Sequence, residues 1–231
     1  PTFPALLGAA FVLGATYGTA IPGTNKAIFD SIPAGRQNLA VGIKQVGVTG
    51  GSGISSLLVT GLAGVFFWQA GFLVAGGLAY LVAAAFYLAY RGAGKGGVTE
   101  YPGFRTLLAN RSYLVLVVAA LFLGAALFTT TGYTVLYVQE AIGTSVFFGG
   151  IVLAIVQLAG SVGRVLTGWL SDTLPGEPRT RIGGMLVVQT LAGAGLFVAV
   201  AAASTPLGAA LAFAALGFFV LGYTGVYYSV M

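Results

Sequence analysis

Residues 160–181 read GSVGRVLTGWLSDTLPGEPRTR. The first half is an apolar, glycine-spaced stretch of helical character that carries one arginine, Arg164, and ends on Gly168-Trp169-Leu170-Ser171-Asp172. A proline- and arginine-bearing turn follows, and a new apolar run begins at Ile182. This is the pattern of a tight loop between two membrane spans, with its charges held at the water edge.

Composition extends that reading to the whole chain. Of 231 residues 58% are hydrophobic and 6% charged, and mean hydropathy is +0.97. A soluble domain is about a quarter charged, so these residues cannot cover a water-facing surface. Seven stretches meet the length of about 20 apolar residues that a span needs: Phe3–Phe29, Gln37–Val65, Ala70–Arg91, Tyr113–Val138, Ser145–Ser171, Ile182–Ala203 and Leu207–Val230. The sequence predicts an all-α polytopic helical bundle. Ser204-Thr205-Pro206 reads as a helix start, a hydroxyl cap followed by proline in the first turn. The best domain boundary is Gly92–Ser112, the one long polar stretch.

The net charge of +5 does not come from a stripe along a helix, which argues against a nucleic-acid partner. Instead the basic residues fall on alternate loops. Lys26 and Arg36 flank the first; Arg91, Lys95, Arg105 and Arg111 lie in or beside the third; Arg179 and Arg181 lie in the fifth. The other loops carry no Lys or Arg. By the positive-inside rule the basic loops are cytoplasmic, the N-terminus of this chain is outside and its C-terminus inside. Asn110-Arg111-Ser112 matches a glycosylation acceptor that this topology leaves unused. No signal-peptide pattern precedes the first span, and a chain that opens on Pro1 and stops at Met231 in an apolar run reads as a piece of something longer.

With Cys 0 and His 0, disulfides, thiol nucleophiles, the common zinc sites and histidine acid–base chemistry are excluded. No acidic residue falls at mid-span either, so an enzyme has few parts to work with and a proton-relay carboxylate is absent from this stretch. No cofactor is indicated. Gly92-Ala93-Gly94-Lys95-Gly96-Gly97 matches a dinucleotide fingerprint in letters, but a membrane span rather than a strand precedes it.

The 160–181 segment resembles the short cytoplasmic loop motif of the major facilitator superfamily of secondary transporters. Gly168, Leu170, Ser171 and Asp172 match in order; Thr173 stands where the family has a basic residue, and Pro175, Glu177 and Pro178 displace the rest. In that family the motif follows the second and the eighth of twelve spans, and the number of preceding spans leaves only the eighth. The resemblance then implies that residues 1–91 are the second half of an N-terminal bundle, 92–112 the central cytoplasmic loop and 113–231 the first part of a C-terminal bundle. The run Arg36 to Gly47, with Gly50, Gly51 and Gly53 after it, is similar to the start of the family's fifth span and agrees with this register. The expected protein is a plasma-membrane transporter that moves a small-molecule solute through the lipid bilayer by alternating access. Its first three and last two spans are missing from this chain. A seven-span ligand-sensing receptor is the rival; a retinal pigment is disfavoured because Lys95 is the final lysine.

Two kinds of site follow. The gating motif comprises Gly168, Asp172, Arg179, Arg181 and Arg36. A carboxylate at a helix C-terminus is unfavourable unless compensated. Asp172 is either a loop acid paired with Arg179 or Arg181, or a state-dependent latch; the resemblance implies that it meets the start of the fifth-type span at Arg36, Gln37 and Asn38. The second kind is the solute cavity. Lys44 lies about two turns into its helix beside Gln45, and Arg164 about two turns before Asp172; each is either a snorkelling cation or a cavity group, and together they point to an anionic solute ahead of an uncharged hydrophobic one. Uncharged candidates are Tyr17 and Asn25 in the first span, and Thr130, Tyr133, Thr134 and Tyr137 in the fourth. Gln157 in the fifth and Tyr223 in the seventh complete the set. Tyr227 and Tyr228 read as an interfacial belt. In the family the first, fourth, seventh and tenth spans line the central path, and these clusters fall on three of them.

Overall fold

The computed structural model describes residues 2–91 and 104–228, and among them every regular element is a helix. The elements are α1 (Phe3–Ser31), α2 (Gln37–Val65), α3 (Trp68–Tyr90), α4 (Phe104–Ala109), α5 (Arg111–Glu140), α6 (Val146–Thr173), α7 (Pro178–Ala201), α8 (Pro206–Gly222) and α9 (Thr224–Tyr227). Seven helical segments are long and apolar enough to cross a membrane, the last running through α8 and α9. Helix is the natural answer for such a chain, because hydrocarbon offers no partner for an unpaired backbone N–H or C=O.

The ends are set by local chemistry. Thr205 caps α8 by accepting from Gly208 N at 3.1 Å, with Pro206 in the first turn. Ser145 Oγ accepts from Phe148 N at 3.2 Å to start α6. Asn110 Oδ1 accepts from Ser112 N at 3.0 Å and Tyr113 N at 3.3 Å, so the acceptor-like tripeptide is a helix cap. Asn110→Ala is expected to fray the first turn of α5 and lower stability by about 1 kcal/mol, read as a fall in Tm. Between α6 and α7 the turn passes through Gly176 at φ +113, a region that favours glycine, and Arg181 Nη1 donates to Leu174 O across it.

Three expectations about extent change. α7 starts at Pro178, four residues before the apolar run, because proline suits a first turn. The polar stretch ahead of α5 contains the short α4; residues 92–103 lie outside the described residues. The last apolar run is not one helix but breaks at Tyr223.

α6 is the axis of the bundle. It packs most closely on α2 and α8, with further contact to α5, and one face of it, from Gly149 to Ser171, is buried. An apolar core of Val138, Val152, Val156, Val200, Phe213, Leu216, Val220 and Leu221 joins α5, α6, α7 and α8. α1 and α3 sit outside with bare apolar faces, such as Phe11 at 77% and Tyr80 at 82% exposed. That surface is the reverse of a water-soluble one.

Candidate functional site

α2 and α6 run antiparallel and touch along their length. A Cβ on Gly168 would lie 2.6 Å from Asn38 O, and one on Gly42 would lie 2.6 Å from Arg164 O. Glycine is what lets the two backbones meet. Between and beyond these points the seam is polar. Thr49 and Ser161 share a hydroxyl hydrogen bond. Gln157 Nε2 donates to Ser52 Oγ at 2.7 Å, and Ser56 Oγ to Gly150 O at 3.4 Å. The seam spans Gly150 to Asp172 on α6, roughly 33 Å at 1.5 Å per residue, about the thickness of the hydrocarbon core.

Asp172 closes one end of this seam. Its Oδ2 accepts from Leu39 N at 2.8 Å, in the first turn of α2. The carboxylate sits at the wrong end of its own helix dipole and at the right end of its neighbour's. The acceptance is by backbone, not by arginine. Arg36 is exposed and bonded to no carboxylate among the described residues, and Gln37 Nε2 turns back to Ile32 O at 3.0 Å. Arg181 is held by the turn carbonyls of Leu174 and Gly176. The side chain of Arg179 lies outside the described residues.

A cavity of about 1000 Å³ opens between α1, α2, α5, α6 and the α8/α9 break. Of the cavity candidates it brings together Tyr17, Gln45, Gln157, Arg164 and Tyr223. Arg164 is 4% exposed, which removes the snorkelling alternative. Its Nε donates to Leu221 O at 2.9 Å and its Nη1 to Gln45 O at 2.8 Å. Three of its five N–H groups, two of them on Nη2, have no protein acceptor among the described residues, and no carboxylate there pairs with it.

Other candidates lie elsewhere. Lys44 Nζ donates to Asn25 Oδ1 at 2.7 Å and Thr24 Oγ1 at 2.9 Å, so Lys44 and Asn25 clamp α1 to α2 rather than line the cavity. The α5 cluster also needs correcting. Thr130 and Thr134 are buried, their hydroxyls spent on Ala126 O and Thr130 O of the same helix. Tyr133 faces outward at 62% exposed, and Tyr137 Oη donates to Val200 O on α7 at 2.8 Å. The face of α5 that does line the cavity is Ala120, Gly124, Leu127, Phe128 and Thr131. Its i, i+4, i+7, i+8, i+11 spacing is a helical stripe in which only Thr131 is polar, so counting hydroxyls overlooks it. Tyr227 and Tyr228 are likewise cavity residues and not a belt: Tyr227 is 2% exposed and its Oη donates to Leu116 O at 2.7 Å. Thr16, Thr49, Ser52 and Thr224 are polar lining residues that the sequence reading missed.

A family model described as Major Facilitator Superfamily matches residues 1–231. The chain belongs to the major facilitator superfamily. Comparison with curated proteins and with solved structures found no match. Members of the major facilitator superfamily are transporters rather than enzymes, and with seven membrane-length helices among the described residues this is an integral membrane transport protein.

Proposed function

We propose that the full-length protein moves a small anion by alternating access, with the cavity around Arg164 as the solute site and Asp172 as the latch at one end of the α2–α6 seam. In this reading residues 1–91 and 113–231 belong to opposite bundles, joined by a cytoplasmic segment at 92–112, and the chain supplies the fourth to tenth of twelve spans. The ends bearing Arg36, Arg111 and Arg181 face the cytoplasm, and the membrane is the plasma membrane.

The observation that carries the reading is Arg164. A buried guanidinium with no carboxylate partner is costly and marks a solute path more often than a structural pair. Tyr17, Gln157 and Tyr223 around it offer neutral hydrogen-bonding groups that orient a bound anion without cancelling its charge. The test is uptake into vesicles of the full-length protein, against a panel of labelled small anions and one labelled uncharged hydrophobic compound. Arg164→Gln is expected to cut anion uptake at least tenfold, the loss of one charge-assisted hydrogen bond or more. Arg164→Lys should recover part of it, since lysine keeps the charge but not the planar fork. Uptake of the uncharged compound alone, indifferent to Arg164, would overturn the proposal.

A further inference from the structure

The break between α8 and α9 is held from outside the segment. Val226 N donates to Tyr223 O, three residues back, at 3.1 Å. On α6, the Thr167 hydroxyl lies 3.1 Å from Gly222 O and 2.7 Å from Gly163 O of its own helix, so its single proton is shared between the two carbonyls. One residue earlier, Leu221 O accepts Arg164 Nε at 2.9 Å, and the same guanidinium reaches Gln45 O on α2 at 2.8 Å. Gly225 lets α9 lie directly on the Arg164 carbonyl, where a Cβ would clash with backbone. One buried cation therefore ties the broken segment, α6 and α2 at a single point of the cavity wall.

Both acceptors of the cation are neutral carbonyls. Those two bonds are charge-assisted on the donor side only; an anion that docks on the three N–H groups without an acceptor among the described residues adds a full opposite charge and can draw the guanidinium off its carbonyls. Thr167 is neutral, and its one proton, shared between Gly163 O and Gly222 O, gains no charge attraction from an anion.

We infer that Arg164, with Thr167, is a positioning clasp on the α8/α9 break, and that an anion taking the guanidinium away from Leu221 O and Gln45 O releases α9. The release step rests on the anionic reading of the cavity; the clasp does not.

The chain contains no cysteine, so Val226→Cys places a single reporter thiol in α9, where Val226 is 0% exposed. The experiment uses the full-length protein in nanodiscs, with any cysteines outside this region replaced by serine. The readout is the rate of modification by a soluble trimethylammonium methanethiosulfonate. Probes are acetate, benzoate, phosphate and, as an uncharged control, acetamide. The parent is expected to react slowly. At least one of the anions should speed it severalfold, and acetamide should not. Arg164→Gln should raise the rate about tenfold without any probe and abolish the anion response, as loss of a charge-assisted bond implies. Thr167→Val should raise it about threefold, the value of a neutral bond, and keep the response.

An unchanged rate in both variants overturns the clasp. A raised rate in both, with Arg164-dependent anion uptake but no anion effect on Val226→Cys, overturns the release step and leaves the anionic reading standing. A raised rate in both, with no anion taken up, overturns the anionic reading and the release step together.

Discussion

Gly42→Val should prevent α2 and α6 from closing on each other, and the variant is expected to be recovered mostly unfolded or aggregated. The added Cβ would sit 2.6 Å from the Arg164 carbonyl oxygen, 3.2 Å from its carbon and 3.3 Å from the Cα of Val165. All three are backbone atoms of a buried helix, so no side chain can swing aside. Overpacking a core costs roughly 1–3 kcal/mol when neighbours relax and more when they cannot. Here relief means moving one helix off the other, which also strains the Thr49–Ser161 and Gln157–Ser52 bonds. The check is detergent-solubilised yield and Tm beside Gly47→Val on the same helix, where nothing lies within 4 Å of the added Cβ. Gly47→Val should behave nearly as the parent. Equal recovery of the two variants would mean that the seam is not as close as described.

Removing the latch acid should leave the fold standing and shift which face of the cavity is open. Asp172 Oδ2 accepts from Leu39 N at 2.8 Å. A hydrogen bond to a charged group contributes about 1.5–3 kcal/mol and the dipole of α2 a further 0.3–1. Asp172→Ala therefore moves the equilibrium between closed and open latch by roughly 20- to 900-fold toward open. Asp172→Asn keeps an acceptor oxygen but not the charge, and should fall between. The measurement is modification of a reporter cysteine at Asn38, which is 9% exposed beside Gly168. Its rate should rise from the parent through Asp172→Asn to Asp172→Ala, while Tm changes little. A large fall in Tm with no change in labelling would make Asp172 a structural cap and not a latch.

The fold was legible because lipid leaves so few solutions. Hydrophobic length located the membrane-length helices to within a few residues at most ends. Gly168, Leu170, Ser171 and Asp172 carried the family resemblance in four letters. What periodicity could not supply was rotation about each helix axis. Thr130 and Thr131 are adjacent in sequence and about 100° apart on α5; both hydroxyls back-bond within the helix, but only Thr131 lines the cavity. Lys44 and Arg164 looked alike as lone cations two turns from a helix end; only packing shows that the first finds Asn25 while the second is sealed among three helices. The break at Tyr223 was hidden because Leu-Gly-Tyr-Thr-Gly holds no proline, and the donors that stabilise it come from α6, more than fifty residues earlier.

The α2–α6 seam has a geometric consequence. Its central pair, Thr49 and Ser161, lies eleven residues from Asn38 and eleven from Thr60 on α2, and eleven from Gly150 and eleven from Asp172 on α6. That makes two lever arms of about 16 Å each around a fulcrum of paired hydroxyls. A tilt of about 10° there swings either tip by nearly 3 Å, enough to part the hydrogen bond at that tip while the fulcrum stays engaged. Balanced arms mean that the same small rotation, in either sense, loosens one end of the seam and tightens the other.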